Sequence, residues 1–226
     1  MRTPMLAIML CAGTIIAGYA AEAESVKNIK TFPAKGIADI NIRTNSALIY
    51  LETAQTADIQ VEQLPDNARA CNITMKIAGK QLILKATDKS GEYKDIKTGF
   101  RVQLPAGISV TARSNSGDIE IHRITAPVEA RTNSGDIKLD NVSGSLKATT
   151  DSGDIEGAIN SPEKPISLKT LSGDVSVTFP ENAAIAVNAG TSSGTLHNDF
   201  SGKTGLPVSV RATSGNISIA KAGKQP

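Results

Sequence analysis

Ser114-Asn-Ser-Gly-Asp-Ile-Glu-Ile121 is followed eighteen residues later by Thr132-Asn-Ser-Gly-Asp-Ile-Lys-Leu139, and after another eighteen by Thr150-Asp-Ser-Gly-Asp-Ile-Glu156. Looser copies are Thr170-Leu-Ser-Gly-Asp-Val-Ser-Val177, Thr191-Ser-Ser-Gly-Thr-Leu196 and Thr213-Ser-Gly-Asn-Ile-Ser-Ile219. Their glycines, Gly117, Gly135, Gly153, Gly173, Gly194 and Gly215, are separated by 18, 18, 20, 21 and 21 residues. A sustained period near twenty marks a protein built by stacking one small unit.

Between the Ser-Gly pairs at 134–135 and 152–153 lies another at 143–144, so the unit divides into two nine-residue halves. Each half is a short strand and a turn. On the first strand Ile137 and Leu139 share a face; on the second Leu146 and Ala148 do, with Lys138 and Lys147 pointing the other way. One such strand pair is too small to hold itself together in water. Parallel stacking at about 4.8 Å places Ile119, Ile137, Ile155, Val175, Leu196 and Ile217 in one inner column. Val128, Leu146, Ile166, Ile185 and Val208 form a second. The expected fold is all-β: a flattened parallel β-solenoid, or β-helix, of 18–21-residue rungs.

Upstream, Ile40 and Ile42 alternate with polar residues, and Thr44-Asn-Ser-Ala47 resembles the repeat phrase with alanine in place of glycine. Ile73 to Leu84 around Ala78-Gly-Lys80 predicts a hairpin, and Phe100, Val102 and Leu104 alternate again. Residues 37–110 are therefore an N-terminal β part capping one end of the stack, and 111–220 the repeats, together a single domain over 37–220. The polar tail at 221–226, ending in proline, suits the guarding of the other end.

The start of the chain has a different character. A basic opening, an apolar run from Met5 to Ala17 and small residues before Ala20 and Ala23 predict a signal peptide over 1–20, cleaved after Ala20 or Ala23. Residues 21–36 are then a polar lead-in. The expected product is exported: periplasmic, outer-surface or secreted. No other apolar stretch approaches membrane-spanning length, so no transmembrane segment is expected in the mature chain. Of Cys11 and Cys71 only the second survives cleavage, which excludes an internal disulfide.

Charge is balanced, 24 basic against 22 acidic residues, with no basic run along the sequence. No nucleic-acid partner is expected on that ground, because phosphate neutralisation needs a positive stripe. With no Trp, three Tyr and four Phe, a sugar- or base-stacking platform is not expected either.

The Ser-Gly-Asp turns invite a functional reading. Turn chemistry accounts for them: glycine takes a positive φ at the corner, and Ser, Asn and Asp bond local backbone. Stacking also aligns Asp118, Asp136, Asp154 and Asp174, and like charges about 4.8 Å apart repel by about 0.9 kcal/mol even in bulk water. That surplus makes the column the candidate ligand or cation site, with weak calcium binding as its simplest form and no other cofactor or metal expected. Gly190-Thr-Ser-Ser-Gly194, near His197 and Asp199, matches the Gly-x-Ser-x-Gly nucleophile pattern. The pattern carries weight only between a strand and a helix, so no catalytic residue is assigned. His122 and His197 have no metal-ligand spacing.

Phe100-Arg-Val-Gln-Leu-Pro-Ala-Gly107 followed by Ser-Gly-Asp-Ile units resembles the bacterial putative-adhesin family of exported β-solenoid domains, over roughly residues 37–220. The resemblance implies a right-handed parallel β-helix or solenoid, an unassigned function and no catalytic residues to carry over. The expected function is a non-enzymatic cell-envelope module whose Ser/Thr/Asp face meets a glycan, an envelope protein or a second copy of itself. The alternatives are a polysaccharide hydrolase or lyase of β-helical fold and a self-assembling envelope scaffold.

Overall fold

Short alternating segments between Ser-Gly corners leave the repeats no room for helices. The computed structural model, which describes residues 28–64, 71–88 and 98–223, has strands and turns throughout those residues. In chain order the strands are β1 (Asn28–Pro33), β2 (Asp39–Arg43), β3 (Ile49–Thr53), β4 (Asp58–Gln63), β5 (Cys71–Ala78), β6 (Gln81–Asp88), β7 (Phe100–Leu104), β8 (Ser109–Arg113), β9 (Ile119–His122) and β10 (Val128–Arg131). There follow β11 (Ile137–Asp140), β12 (Leu146–Thr150), β13 (Ile155–Ala158), β14 (Ile166–Thr170), β15 (Val175–Phe179), β16 (Ile185–Ser193), β17 (Leu196–Asn198), β18 (Leu206–Ser214) and β19 (Ile217–Lys221). The expected signal peptide and the last three residues of the tail lie outside the described residues.

Each rung contributes one strand to each of two sheets. β10 lies in one sheet, turns through the Ser-Gly-Asp corner into β11 of the other, and returns through Ser143-Gly144 to β12. The first sheet, A, has the order β1-β4-β7-β3-β9-β11-β13-β15-β19-β17, and the second, B, the order β16-β18-β14-β12-β10-β8-β2-β6-β5. Within the rungs all pairing is parallel and in register, Ile119 beside Ile137 beside Ile155. The inner faces form one continuous apolar core, in which Ile137, Leu139, Leu146 and Ala148 are all buried, while Lys138 and Lys147 point out. The all-β solenoid and its two-strand rung are as the sequence predicts.

The order of the rungs is not. In space it runs β6/β7, β2/β3, β8/β9, β10/β11, β12/β13, β14/β15, β18/β19, β16/β17, so the chain transposes a rung at each end. The first inner column therefore continues Val175, Ile217, Leu196, and in the other direction extends through Ile49 to Phe100. In the second, Val208 lies between Ile166 and Val187, while Ile185 pairs with Leu206. Burial supplies the reason at the C-terminal end. β18 and β19 present Val208, Val210, Ala212, Ile217 and Ile219, all nearly inaccessible, whereas Leu196 on β17 is 48% exposed. The more apolar rung takes the inside place.

The N-terminal part also differs from the expected cap. β2/β3 is a true rung, packed against β8/β9 with Thr44 to Ala47 as its corner. The capping falls to antiparallel strands, β1 on β4 on β7 in sheet A and the predicted β5–β6 hairpin in sheet B. Asn28–Pro33, within the stretch expected to be an irregular lead-in, is thus a strand. At the other end the last strand, β19, is interior, and β16 and β17 form the edge.

Candidate functional site

The Ser-Gly-Asp corner is built from two hydrogen-bond ladders. On the outside, Asp118 Oδ1 accepts from the backbone N–H of Asp136 at 2.9 Å, Asp136 Oδ1 from Asp154 N–H at 2.9 Å, and Asp154 Oδ1 from Asp174 N–H at 2.7 Å. Asp174 accepts from Asn216 N–H at 2.6 Å, and Asn216 Oδ1 accepts from Thr195 N–H at 3.0 Å, following the transposed order. Each carboxylate thereby satisfies a backbone donor that the corner removes from the sheet. The column of aspartates, the candidate ligand site, is engaged in holding successive rungs in register.

Inside the corner, threonine does the equivalent work. The fully buried Thr132, Thr150 and Thr170 hydroxyls donate to the carbonyls of Gly117, Gly135 and Gly153 in the preceding rung. Thr132 and Thr150 also accept from the N–H of Gly135 and Gly153 in their own. Ser114 takes the same place one rung earlier, donating to Asn45 O and accepting from Gly117 N–H.

The glycines are required for a reason other than the expected positive φ. Gly117, Gly135, Gly153, Gly173 and Gly215 are absent from the positive-φ residues; only Gly194, at 145°, is among them. A Cβ at Gly153 would lie 1.9 Å from Gly135 O, and one at Gly135 2.3 Å from Gly117 O. The corners stack backbone on backbone, and glycine is the residue without a side chain in that gap.

Where the corner meets the end of the sheet B strands, a cavity of about 280 Å³ opens among Arg43, Thr44, Asn45, Arg113, Ser114, Asn115 and Asn133. Asn45 is 5% exposed, yet its Oδ1 has no hydrogen-bond partner; nor have the buried Nε atoms of Arg43 and Arg113. Asn45 Nδ2 donates to Ser46 Oγ at 3.0 Å, and Asn133 Nδ2 to Asn115 Oδ1 at 2.7 Å. All three belong to residues that line the cavity, and each of the three atoms is itself closed off from solvent. Buried groups of this kind are seldom left unpaired.

The stack also gathers charge that is scattered along the chain. Register pairs Lys85 with Arg43, Arg43 with Arg113, and Arg113 with Arg131. It continues through Thr149 to Lys169 and Arg211, a row of cations across the outer face of sheet B. The outer positions of sheet A hold Glu52, Glu62, Glu120, Asp140 and Glu156 beside Arg101 and Lys138. The premise of no basic cluster, sound along the sequence, fails in three dimensions because residues one rung apart become neighbours.

Two further groups involve the histidines. His122 stacks on Tyr50 with ring centroids 4.6 Å apart, and the Arg101 guanidinium lies 4.3 Å from the Tyr50 centroid on strand β7. His122 Nδ1 is 3.2 Å from Asp140 Oδ2, and Nε2 is 3.8 Å from Glu120 Oε2. The sequence carries no signal for this stack, since Tyr50 and His122 meet only by strand pairing. His197 is largely exposed and lies 3.1 Å from Asp199 Oδ1. Among the described residues no hydrogen bond links it to Ser192, which lies on the edge strand of the other sheet. Cys71 Sγ is 3.4 Å from Thr98 Oγ1. Among the described residues no three or more His, Cys, Asp or Glu side chains are arranged to hold a metal ion, and no helix is long and apolar enough to cross a membrane.

The fold recurs in solved structures. A putative cell adhesion protein from Clostridium sporogenes ATCC 15579 superposes with a TM-score of 0.53 at 13% identity, covering 86% of this chain and 98% of that one. A putative adhesin from Bacteroides fragilis NCTC 9343 gives 0.47 at 14% identity, covering 86% and 96%. No curated protein matches the chain. The corner phrases, the two-strand rungs and the match of residues 14–220 agree: the chain belongs to the Toastrack DUF4097 family.

Proposed function

We propose that this protein is an exported, non-enzymatic cell-envelope module of adhesin-like type that binds a partner along the face of sheet B. One observation carries the reading. The conspicuous polar residues of the corners are engaged in ladders between rungs, whereas Arg43, Asn45, Arg113, Asn115 and Asn133 line one open cavity. Binding needs donors and acceptors on a rigid scaffold, and catalysis needs in addition a nucleophile or acid–base pair held in contact. Ser192 and His197 supply no such pair.

The test is a screen of the purified protein against surface glycans and envelope proteins, joined to fractionation of expressing cells. Retention of a partner by the exported protein is the expected result. A cytoplasmic location, or turnover of a polysaccharide in the same panel, would overturn the reading.

A specific observation favours one addition, end-to-end association of copies. The edge strand β16 has nine residues, none of them charged and none proline, and Leu196 beside it is half exposed. By contrast the edges at the other end carry Lys30 and Pro33 on β1 and Lys76 on β5. Charges and proline on an edge discourage pairing with another chain.

A further inference from the structure

We propose that the outer face of sheet B is a track for a linear, carboxylate-bearing polysaccharide, anchored in the Arg43–Arg113–Asn45 cavity. The proposal rests on the binding-module reading and specifies its ligand.

The row Lys85, Arg43, Arg113, Arg131, Lys169, Arg211 crosses seven strands, about 29 Å at roughly 4.8 Å per strand. A ligand that follows it must be long, extended and anionic. Arg113 pairs with Glu129 at 3.6 Å and Arg131 with Asp151 at 3.5 Å, so part of the charge is neutralised within the protein. The track is therefore suited to anions spaced several ångströms apart. Double-stranded DNA, with one charge per about 1.7 Å of axis, demands a denser field.

The groups beside the cations agree with a sugar. Asn41, Thr111, Ser167 and Ser209 occupy the outer position two residues before them, offering partners for hydroxyls. No aromatic side chain stands at an outer position of these strands, so neither bases nor sugar rings have a stacking platform and a ligand is held by charged and polar contacts alone. A second concavity, about 420 Å³, runs along the same sheet past Thr111, Glu129 and Lys147, extending the surface available to a chain.

At the cavity the chemistry becomes specific. Arg43 and Arg113 stand side by side on neighbouring strands and both line the cavity, and a guanidinium binds a carboxylate in a fixed, paired geometry. The exposed amides of Asn115 and Asn133 line the same cavity, and the hydroxyls of a uronic acid can both donate to and accept from them. An acidic sugar supplies a carboxylate for the arginines and hydroxyls for the amides.

The experiment measures binding of the full mature protein to polygalacturonate, neutral dextran and duplex DNA, between roughly 50 and 200 mM salt. The variants are Arg43→Gln/Arg113→Gln and Lys169→Glu on the track, with Lys138→Gln on sheet A as the control. Thermal melts confirm that each variant is folded. The expected result is binding of polygalacturonate that weakens with salt, roughly tenfold weaker for each arginine removed and unchanged in the control. Lys169→Glu should lower affinity independently of the cavity.

Tighter binding of DNA than of polygalacturonate would overturn the sugar assignment. So would equal binding of dextran insensitive to the charge variants, while leaving the binding-module reading intact. Salt-sensitive self-association abolished by the arginine variants, without polygalacturonate binding, would assign the row to contacts with the acidic sheet A of another copy and overturn the proposal. Absence of polygalacturonate binding at low salt overturns it outright; the screen of envelope partners then decides the broader reading separately.

Discussion

At the scale of the residue, the corner shows how one position serves two neighbours. Thr150 donates to Gly135 O at 3.0 Å and accepts from Gly153 N–H at 3.1 Å, entirely out of water. Thr150→Val keeps the shape and removes both bonds, leaving a buried donor and a buried acceptor. The expected cost is about 2 kcal/mol or more, a fall of roughly 4–8 °C in melting temperature, with Thr150→Ser much nearer to wild type. The aspartate ladder predicts a contrast. Asp118→Asn, Asp136→Asn and Asp154→Asn combined retain every Oδ1 acceptor and remove repulsion between neighbours, so thermal unfolding should be unchanged or slightly raised. Asp136→Ala, which removes an acceptor, should cost about 1 kcal/mol. A large loss in the triple Asn variant would show that the charge itself is required, as a cation site demands; calcium titration of the wild-type protein, expected to leave its melting temperature unmoved, checks the same point.

Elements obey a different constraint, the need of each rung for neighbours on both faces. β18 lies between β14 and β16, and β19 between β15 and β17, although they come last in the chain. Truncation after Gly205 should therefore remove the support of β16 and β17 as well as the deleted strands. Hydrogen exchange is expected to find the amides of Ile185–Ser193 unprotected in that variant, with β12 and β13 still protected. Protection retained along β16 would mean that it can dock directly on β14, as the order of the sequence suggests. The return corners show a smaller case of the same coupling. Arg123 and Asn141, at matching places one rung apart, have φ of 53° and 54°. Asparagine tolerates that region; arginine does so less readily, and both residues donate their N–H to the next rung, Arg123 to Asp140 O and Asn141 to Ala158 O.

For the whole molecule, the consequence of stacking is polarity. The two outer faces carry opposite charge, and the two ends carry opposite protection against pairing. If the uncharged β16 edge mediates association, light scattering should show size growing with concentration, and Ala186→Lys on that strand should abolish the growth. Constant size up to high concentration would remove end-to-end assembly.

Much of this was legible in the chain. The spacing of Gly117, Gly135 and Gly153, the half-step at Gly144 and the alternation of Ile137 and Leu139 determine a two-strand parallel solenoid, because period and burial are local properties. The place of Thr44 to Ala47 as a corner was legible too. Rung order was not, since it depends on which of two adjacent rungs buries more apolar surface, a comparison no local pattern contains. The candidate aspartates were visible as a column, but their engagement with the next rung's N–H groups depends on a stagger of the corners that spacing leaves open. The basic row on sheet B and the cavity of Asn45 were hidden altogether. Lys85, Arg43, Arg113, Arg131, Lys169 and Arg211 are separated by many residues, and a nearly balanced sequence total cannot reveal which face each charge joins. The sequence by itself determined the rung; only the stacking of rungs decided the surfaces, because a surface here is made of residues that meet across strands.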